Sequence, residues 1–286
     1  MDKAGPNAAN FFEKPSHPFR RLGGIRAATG FARALAMVPP WYLEDPASAR
    51  GRARARRFSR VLLNGFGVHV ERVGTAPTAG TTLYVANHVS WTDIFAMIAS
   101  VNANFVAKTE VGTWPLVGPI SKRLGTLFVA RGNRSGVAAQ AAAIRDRLSA
   151  GGNLVLFPEG TTSTGRDVQP FRTSLMSAAA AAAQVQPVSI VYTDRQGRPL
   201  NDAMMDRVSW VGDASFLPSA RLIAPMAVRA EITLLDPIAG DILTDRKALT
   251  AAAHDAIRTH YTTRRSAISS ETSSEVASAG AANRAA

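Results

Sequence analysis

In ANHVSWTDIF, residues 86–95, a histidine and an aspartate stand five positions apart with a tryptophan and small polar residues between them. Five residues of α-helix turn the chain about 140° out of register, so His88 and Asp93 cannot share one helix face. They meet if His88 lies in a loop and Asp93 in the first turn of the helix that follows. The carboxylate then reaches back to one imidazole nitrogen, and the other nitrogen is left to take a proton. That is a general base held by an orienting partner. Ser90 and Asp93 fit a helix capping box equally well, which requires no chemistry.

A second group sits in NLVLFPEGTTSTG, residues 153–165, where Glu159, Gly160 and Thr161 follow directly on an apolar run. Loops after the strands of a parallel sheet are where ligands bind. The glycine spacing from Gly160 to Gly165 imitates a phosphate-cradling P-loop. Arg166 and Asp167 stand where that loop needs lysine and a hydroxyl, so it is rejected. His88, Asp93 and Glu159 lack the spacing of a metal-binding motif, and no metal ligand is assigned. Arg131 closes GTLFVAR, residues 125–131, ahead of a Gly-Asn turn. At the same sheet edge it offers bidentate bonds to a phosphate. The chain has no cysteine, which excludes thiol catalysis and disulfides. No G-x-S-x-G elbow is present, which removes the serine hydrolases.

These residues need a scaffold that brings several strand ends together. Short apolar runs at 81–86, 104–107, 126–130, 153–157, 187–192 and 228–235 read as strands, with helices expected at 91–100, 115–124, 134–148, 173–184 and 245–263. The alternation predicts an α/β domain with a mostly parallel central sheet flanked by helices. The expected organisation is a flexible N-terminus (1–20), basic amphipathic helices lying on a membrane surface (21–66), the catalytic domain (67–264) and a disordered Ser/Ala-rich tail (265–286).

The membrane expectation rests on charge and pattern. Lys and Arg number 33 against 21 Asp and Glu, a formal charge of +12, and six arginines fall within residues 50–60. Such a chain favours anionic partners. Residues 22–43 are interrupted by Arg26 and Arg33 and broken by Pro39-Pro40, short of the roughly 20 apolar residues a span requires. Phe31, Leu35 and Val38 form one stripe, and Phe58, Val61, Leu62 and Phe66 another, which suits helices lying in an interface. Aromatic residues are only 7% and no nucleic-acid-binding motif occurs, so nucleic acid is not expected as a partner.

Four blocks together resemble the glycerolipid acyltransferases, the family of bacterial 1-acylglycerol-3-phosphate acyltransferases. NHVSWTD is similar to NHxxxxD, GTLFVAR to GxxFxxR, FPEGTTS to FPEGTRS, and VQPVSI to the fourth block with its proline, Pro187. They occur in order over roughly residues 60–240. The resemblance implies that His88, oriented by Asp93, deprotonates the free hydroxyl of a lysolipid. That oxygen attacks the thioester of acyl-CoA or acyl carrier protein, with no other cofactor. It implies further that Arg131, Glu159, Gly160, Thr161 and Thr162 bind the acceptor headgroup at the cytoplasmic face of the inner membrane. The first expected acceptor is 1-acyl-sn-glycerol-3-phosphate, giving phosphatidic acid. The third block usually carries arginine where this chain has Thr162, and EGTT versions occur in relatives that acylate lyso-ornithine lipid, the alternative acceptor. Arg166 and Arg172 are nearby replacements for that charge. A non-catalytic protein that binds anionic lipid is the competing class.

Overall fold

The computed structural model describes residues 18–74, 77, 79–113, 117–129, 134–212 and 215–282. Helices α1 (Pro18–Ala36), α2 (Val38–Tyr42) and α3 (Ala49–Gly65) precede strands β1 (Val68–Val73) and β2 (Thr82–Ala86). Then come α4 (Thr92–Ser100), β3 (Asn104–Lys108), α5 (Val117–Arg123), β4 (Leu127–Val129), α6 (Arg134–Ser149), β5 (Leu154–Leu156) and β6 (Gln184–Thr193). The chain closes with α7 (Asp202–Val208), α8 (Phe216–Ile223), β7 (Val228–Leu234), β8 (Ile238–Ala239) and α9 (Arg246–Ala282).

The strands form one sheet in the order β1-β7-β6-β2-β5-β3-β4, with β8 on β6. Pairing is parallel throughout except where β6 meets β7 and β8. The α/β architecture with a mostly parallel sheet is therefore as the alternating pattern predicts. β2 lies at the centre and is buried along its whole length. Its side chains alternate between two cores, as a pleated strand requires. Leu83 and Val85 join Leu154, Leu156, Ile144, Leu148, Leu249 and Ile257 on one face. Tyr84 and Ala86 join Val155, Val188, Ile190, Phe58, Leu63 and Met97 on the other.

Three local expectations change. The stripe on α3 is core: Phe58 is 1% exposed, Leu62 5% and Phe66 7%. A buried Leu or Phe contributes about 1.5–3 kcal/mol by leaving water, and the same surface cannot also meet lipid. Val61 is partly buried against the same cluster, as are Phe31 and Val38. α1 crosses α3 so closely that a Cβ on Gly30 would come 2.3 Å from the Gly65 Cα. Residues 173–184 form only a 3₁₀ turn, Leu175–Ala181, before β6 begins at Gln184. Pairing of Gln184, Val185 and Gln186 with β2 takes those residues from any helix. Finally, α9 continues as helix to Ala282, within the segment expected to be disordered. Alanine, frequent there, has the highest helix propensity. Leu249, Ala253, Ile257 and Tyr261 of this helix are buried.

Strand β1 was not among the expected strands. It is an edge strand whose only fully buried side chain is Val68. No helix among the described residues is long and apolar enough to cross a membrane.

Candidate active site

β2 has β5 on one side and β6 on the other, with Val85 opposite Leu156 and Ala86 opposite Val188. The loops leaving β2 and β5 therefore emerge side by side. Asn87 continues β2 by proxy: its side-chain amide donates to the Ile190 carbonyl at 3.0 Å and accepts the Ile190 N–H at 2.8 Å. A side chain thus stands in for a strand's backbone, and the main chain is free to turn outward at His88.

Asp93 falls in the first turn of α4, as the five-residue spacing requires. Its Oδ2 lies 2.9 Å from His88 Nδ1 and accepts the backbone N–H groups of Val89 at 2.7 Å and Ser90 at 2.8 Å. Orientation of the histidine and capping of the helix are performed by the same carboxylate. Asp93 is fully buried, whereas the His88 side chain is 14% exposed. Because the acceptor is a carboxylate, Nδ1 carries the proton and the Nε2 lone pair is free to act as a base. The imidazole also stacks on Phe157, centroids 4.1 Å apart and planes 15° apart. Ring plane and tautomer are both fixed.

Glu159 supports the backbone of this arrangement. It is buried, with Oε1 accepting the His88 N–H at 2.7 Å and Oε2 facing the Gln169 N–H at 3.4 Å. Burial pushes its carboxyl up to about 8, against the opposing pull of the two N–H groups. Gly160 turns the chain with a φ of +77°, a conformation that favours glycine, and its N–H donates to the Phe157 carbonyl at 3.1 Å. Thr161 is exposed. The Thr162 hydroxyl donates to the Trp210 carbonyl. The Ser163 N–H donates to the His88 carbonyl at 2.9 Å, so the two loops are stitched together on both sides of the histidine. Tyr261 of α9 pins the far end of the loop by donating to the Gly165 carbonyl.

Of the sequence-derived site residues, His88, Asp93, Glu159, Gly160, Thr161 and Thr162 gather at this edge; Arg131 lies outside the described residues. Arg166 is paired at the surface with Asp206 at 2.8 Å and Asp202 at 3.5 Å. Arg172 comes closer to the loop: a Cβ on Gly160 would stand 2.9 Å from its Nε. Among the described residues no group of three His, Asp or Glu is arranged to hold a metal. Sequence reasoning gave no role to Asn87, Phe157, Tyr192 or Trp210. Asn87 and Phe157 lie inside the quoted motifs, and that adjacency was the available signal.

The fixed histidine–carboxylate pair at the C-terminal edge of the parallel sheet has the geometry of a base held by an orienting partner. Residues 67–192 match the family model described as Acyltransferase. The lyso-ornithine lipid O-acyltransferase of Brucella abortus is 35% identical over 83% of this chain and 94% of its own length. That of Pseudomonas aeruginosa is 41% identical over 62% and 66%. The 1-acyl-sn-glycerol-3-phosphate acyltransferase of Neisseria gonorrhoeae is 40% identical over 41% of this chain and 46% of its own. The crystal structure of the 1-acyl-sn-glycerophosphate acyltransferase of Thermotoga maritima superposes with a TM-score of 0.54 at 18% identity, covering 85% of this chain and 92% of that one, a likeness of fold. The chain belongs to the glycerolipid acyltransferase family. It is a transferase of lipid metabolism, of the lysophospholipid and glycerolipid type.

Proposed function

We propose that this enzyme moves a fatty acyl group from acyl-CoA or acyl carrier protein to the free hydroxyl of a lysolipid, with His88 as general base. The observation that carries this is the 2.9 Å contact between His88 Nδ1 and buried Asp93. Nε2 takes the hydroxyl proton as the oxygen attacks the thioester carbonyl. The C–S bond then breaks, and the departing thiolate recovers the proton from the imidazolium. The cost of charging the ring is offset by the carboxylate beside it.

The acceptor we favour is lyso-ornithine lipid. Two observations support it: the Brucella relative is matched over nearly its full length, and Thr162 removes a cation from the headgroup loop. A phosphate monoester carries close to two negative charges and depends on charge-assisted bonds, whereas the ornithine headgroup is zwitterionic. Lysophosphatidic acid is the second reading, favoured by Arg131 in the family's phosphate-binding block and by Arg172 beside Gly160.

Contact with an anionic membrane at the cytoplasmic face belongs to the same proposal. With the α3 stripe in the core, the contact falls to the exposed arginines of α3, Arg50, Arg57 and Arg60, and to exposed Ile25, Tyr42 and Leu43. Purified protein supplied with labelled acyl donor and the two lysolipids side by side tests the whole reading. Transfer to lyso-ornithine lipid alone, or at the higher kcat/KM, supports it. Transfer to lysophosphatidic acid alone reverses the acceptor, and no transfer to any lysolipid leaves the non-catalytic lipid binder.

A further inference from the structure

Asp93 has a second oxygen, and neither the helix cap nor the histidine uses it. Oδ1 accepts a hydrogen bond from the hydroxyl of Tyr192 at 2.5 Å. Tyr192 stands near the end of β6, 1% exposed, on the sheet face that carries α4. Its hydroxyl is also bonded to Thr92, the first residue of α4. The phenol has one proton and gives it to the carboxylate, so the Thr92 hydroxyl must be the donor in that second bond. A chain of three groups, Thr92 to Tyr192 to Asp93, thus ends at the atom pair that orients His88.

We propose that Tyr192 is a positioning residue for acyl transfer, setting the direction and strength with which Asp93 holds the His88 imidazole. This rests on the assignment of His88 as the base. Four donors converge on the two oxygens of Asp93: His88 Nδ1, Val89 N, Ser90 N and the Tyr192 hydroxyl. The first three crowd Oδ2. Without a donor at Oδ1 the carboxylate stays anchored through Oδ2 by the Val89 and Ser90 N–H groups but can tilt about its Cβ–Cγ bond, which loosens the aim of the imidazole without removing the charge beside it. Tyr192 locks that rotation from the opposite strand. Burial, with the Asp93 charge second, also holds the phenol well above its ordinary range, so it stays protonated and able to donate. The other ionisable groups facing this cluster are Glu159, on the far side of His88, and Tyr261 from α9.

Removing the donor has two consequences that point the same way. The carboxylate loses a fixed orientation, so turnover falls. It also keeps more of its charge for the imidazole, so the imidazolium is stabilised and the base is lost at a higher pH. The decisive experiment compares Tyr192→Phe, His88→Ala and the double variant in the full-length protein, with kinetics from pH 5 to 9 and melting temperatures. For Tyr192→Phe the expected result is a fall in kcat of about three- to tenfold with KM unchanged. The acidic limb of the kcat/KM profile should rise by about half a pH unit to one unit. In the His88→Ala background Tyr192→Phe should add no further loss.

A folded Tyr192→Phe with the wild-type pH profile overturns the proposal, whatever its rate, because a packing defect lowers activity without moving that limb. Should Tyr192→Phe not fold, Thr92→Val carries the test. It weakens the phenol as a donor and should move the limb in the same direction by less, and no movement again overturns the proposal. Failure of the underlying assignment looks different: His88→Ala would then keep its activity.

Discussion

Glu159 holds His88 by the backbone, its Oε1 accepting the histidine's own N–H at 2.7 Å. The side chain of the histidine belongs to Asp93 and its main chain to Glu159, so two acids, one from the first turn of α4 and one from the loop after β5, fix one residue. The glutamate is buried with its carboxyl pushed up to about 8, so around neutrality it is largely protonated.

Glu159→Gln should therefore fold and retain most activity at neutral pH, since the amide copies the protonated acid and keeps an acceptor for His88. Glu159→Ala leaves the buried N–H unpaired and should cost about 1–3 kcal/mol of stability together with most of the turnover. The pH dependence follows from the raised value. The folded state holds a proton that the unfolded chain releases above its ordinary 4.5, so this contribution is full at low pH and is lost as pH rises through about 8. Melting temperature measured from pH 4.5 to 9 should fall more steeply in wild type than in Glu159→Gln. Parallel curves would show that the carboxyl is ionised throughout.

His88→Ala is expected to lower transfer by a factor on the order of 10² to 10⁴ while the protein stays folded, because the Val89 and Ser90 N–H groups and the Tyr192 hydroxyl still satisfy Asp93. Asp93→Asn should lose both activity and stability. The amide oxygen can still cap α4, but it is neutral, and the imidazolium loses its counter-charge. Steady-state kinetics beside thermal melts separate the two effects. Loss of melting temperature with intact turnover would reduce Asp93 to a cap.

Thr162→Arg breaks the bond to the Trp210 carbonyl and adds a cation to the headgroup loop. The ratio of kcat/KM for lysophosphatidic acid over lyso-ornithine lipid should rise about tenfold or more, the value of one charge-assisted hydrogen bond. An unchanged ratio would place the headgroup elsewhere.

Replacing Arg50, Arg57 and Arg60 with glutamine should release the protein from acidic vesicles. A basic residue near an anionic surface contributes about 1 kcal/mol, so three together amount to roughly a 100-fold change in partition. Co-sedimentation over a salt series is the measurement. Binding that survives the triple change would move the contact to the apolar residues Ile25, Tyr42 and Leu43.

How far the sequence disclosed these features follows from the range of the interactions. The His88–Asp93 pair is local, so its spacing was enough to derive the loop-then-helix geometry. The strands announced themselves by burial on both faces, and β1 escaped because an edge strand rich in charge has no such run. The stripe Phe58, Leu62, Phe66 has one period whether it meets a core or a bilayer, and only the neighbouring α4 and β1 decide. Tyr192 was invisible for a related reason. In VSIVYT it reads as one more buried residue of a strand, and its partner lies 99 positions away.

That remoteness has a consequence for how the enzyme is made. His88 is secured by Glu159 across 71 residues, Asn87 by Ile190 across 103, Asp93 by Tyr192 across 99 and Trp91 by Ser219 across 128. Each closure waits on chain emerging from the ribosome long after the histidine itself, and each must overcome the entropy of a long loop before it gains a bond. Nε2 of His88 is therefore unaimed in a nascent or partly folded chain. Activity appears only when the last strands have docked, so a recovery of turnover during refolding should lag the recovery of helix content.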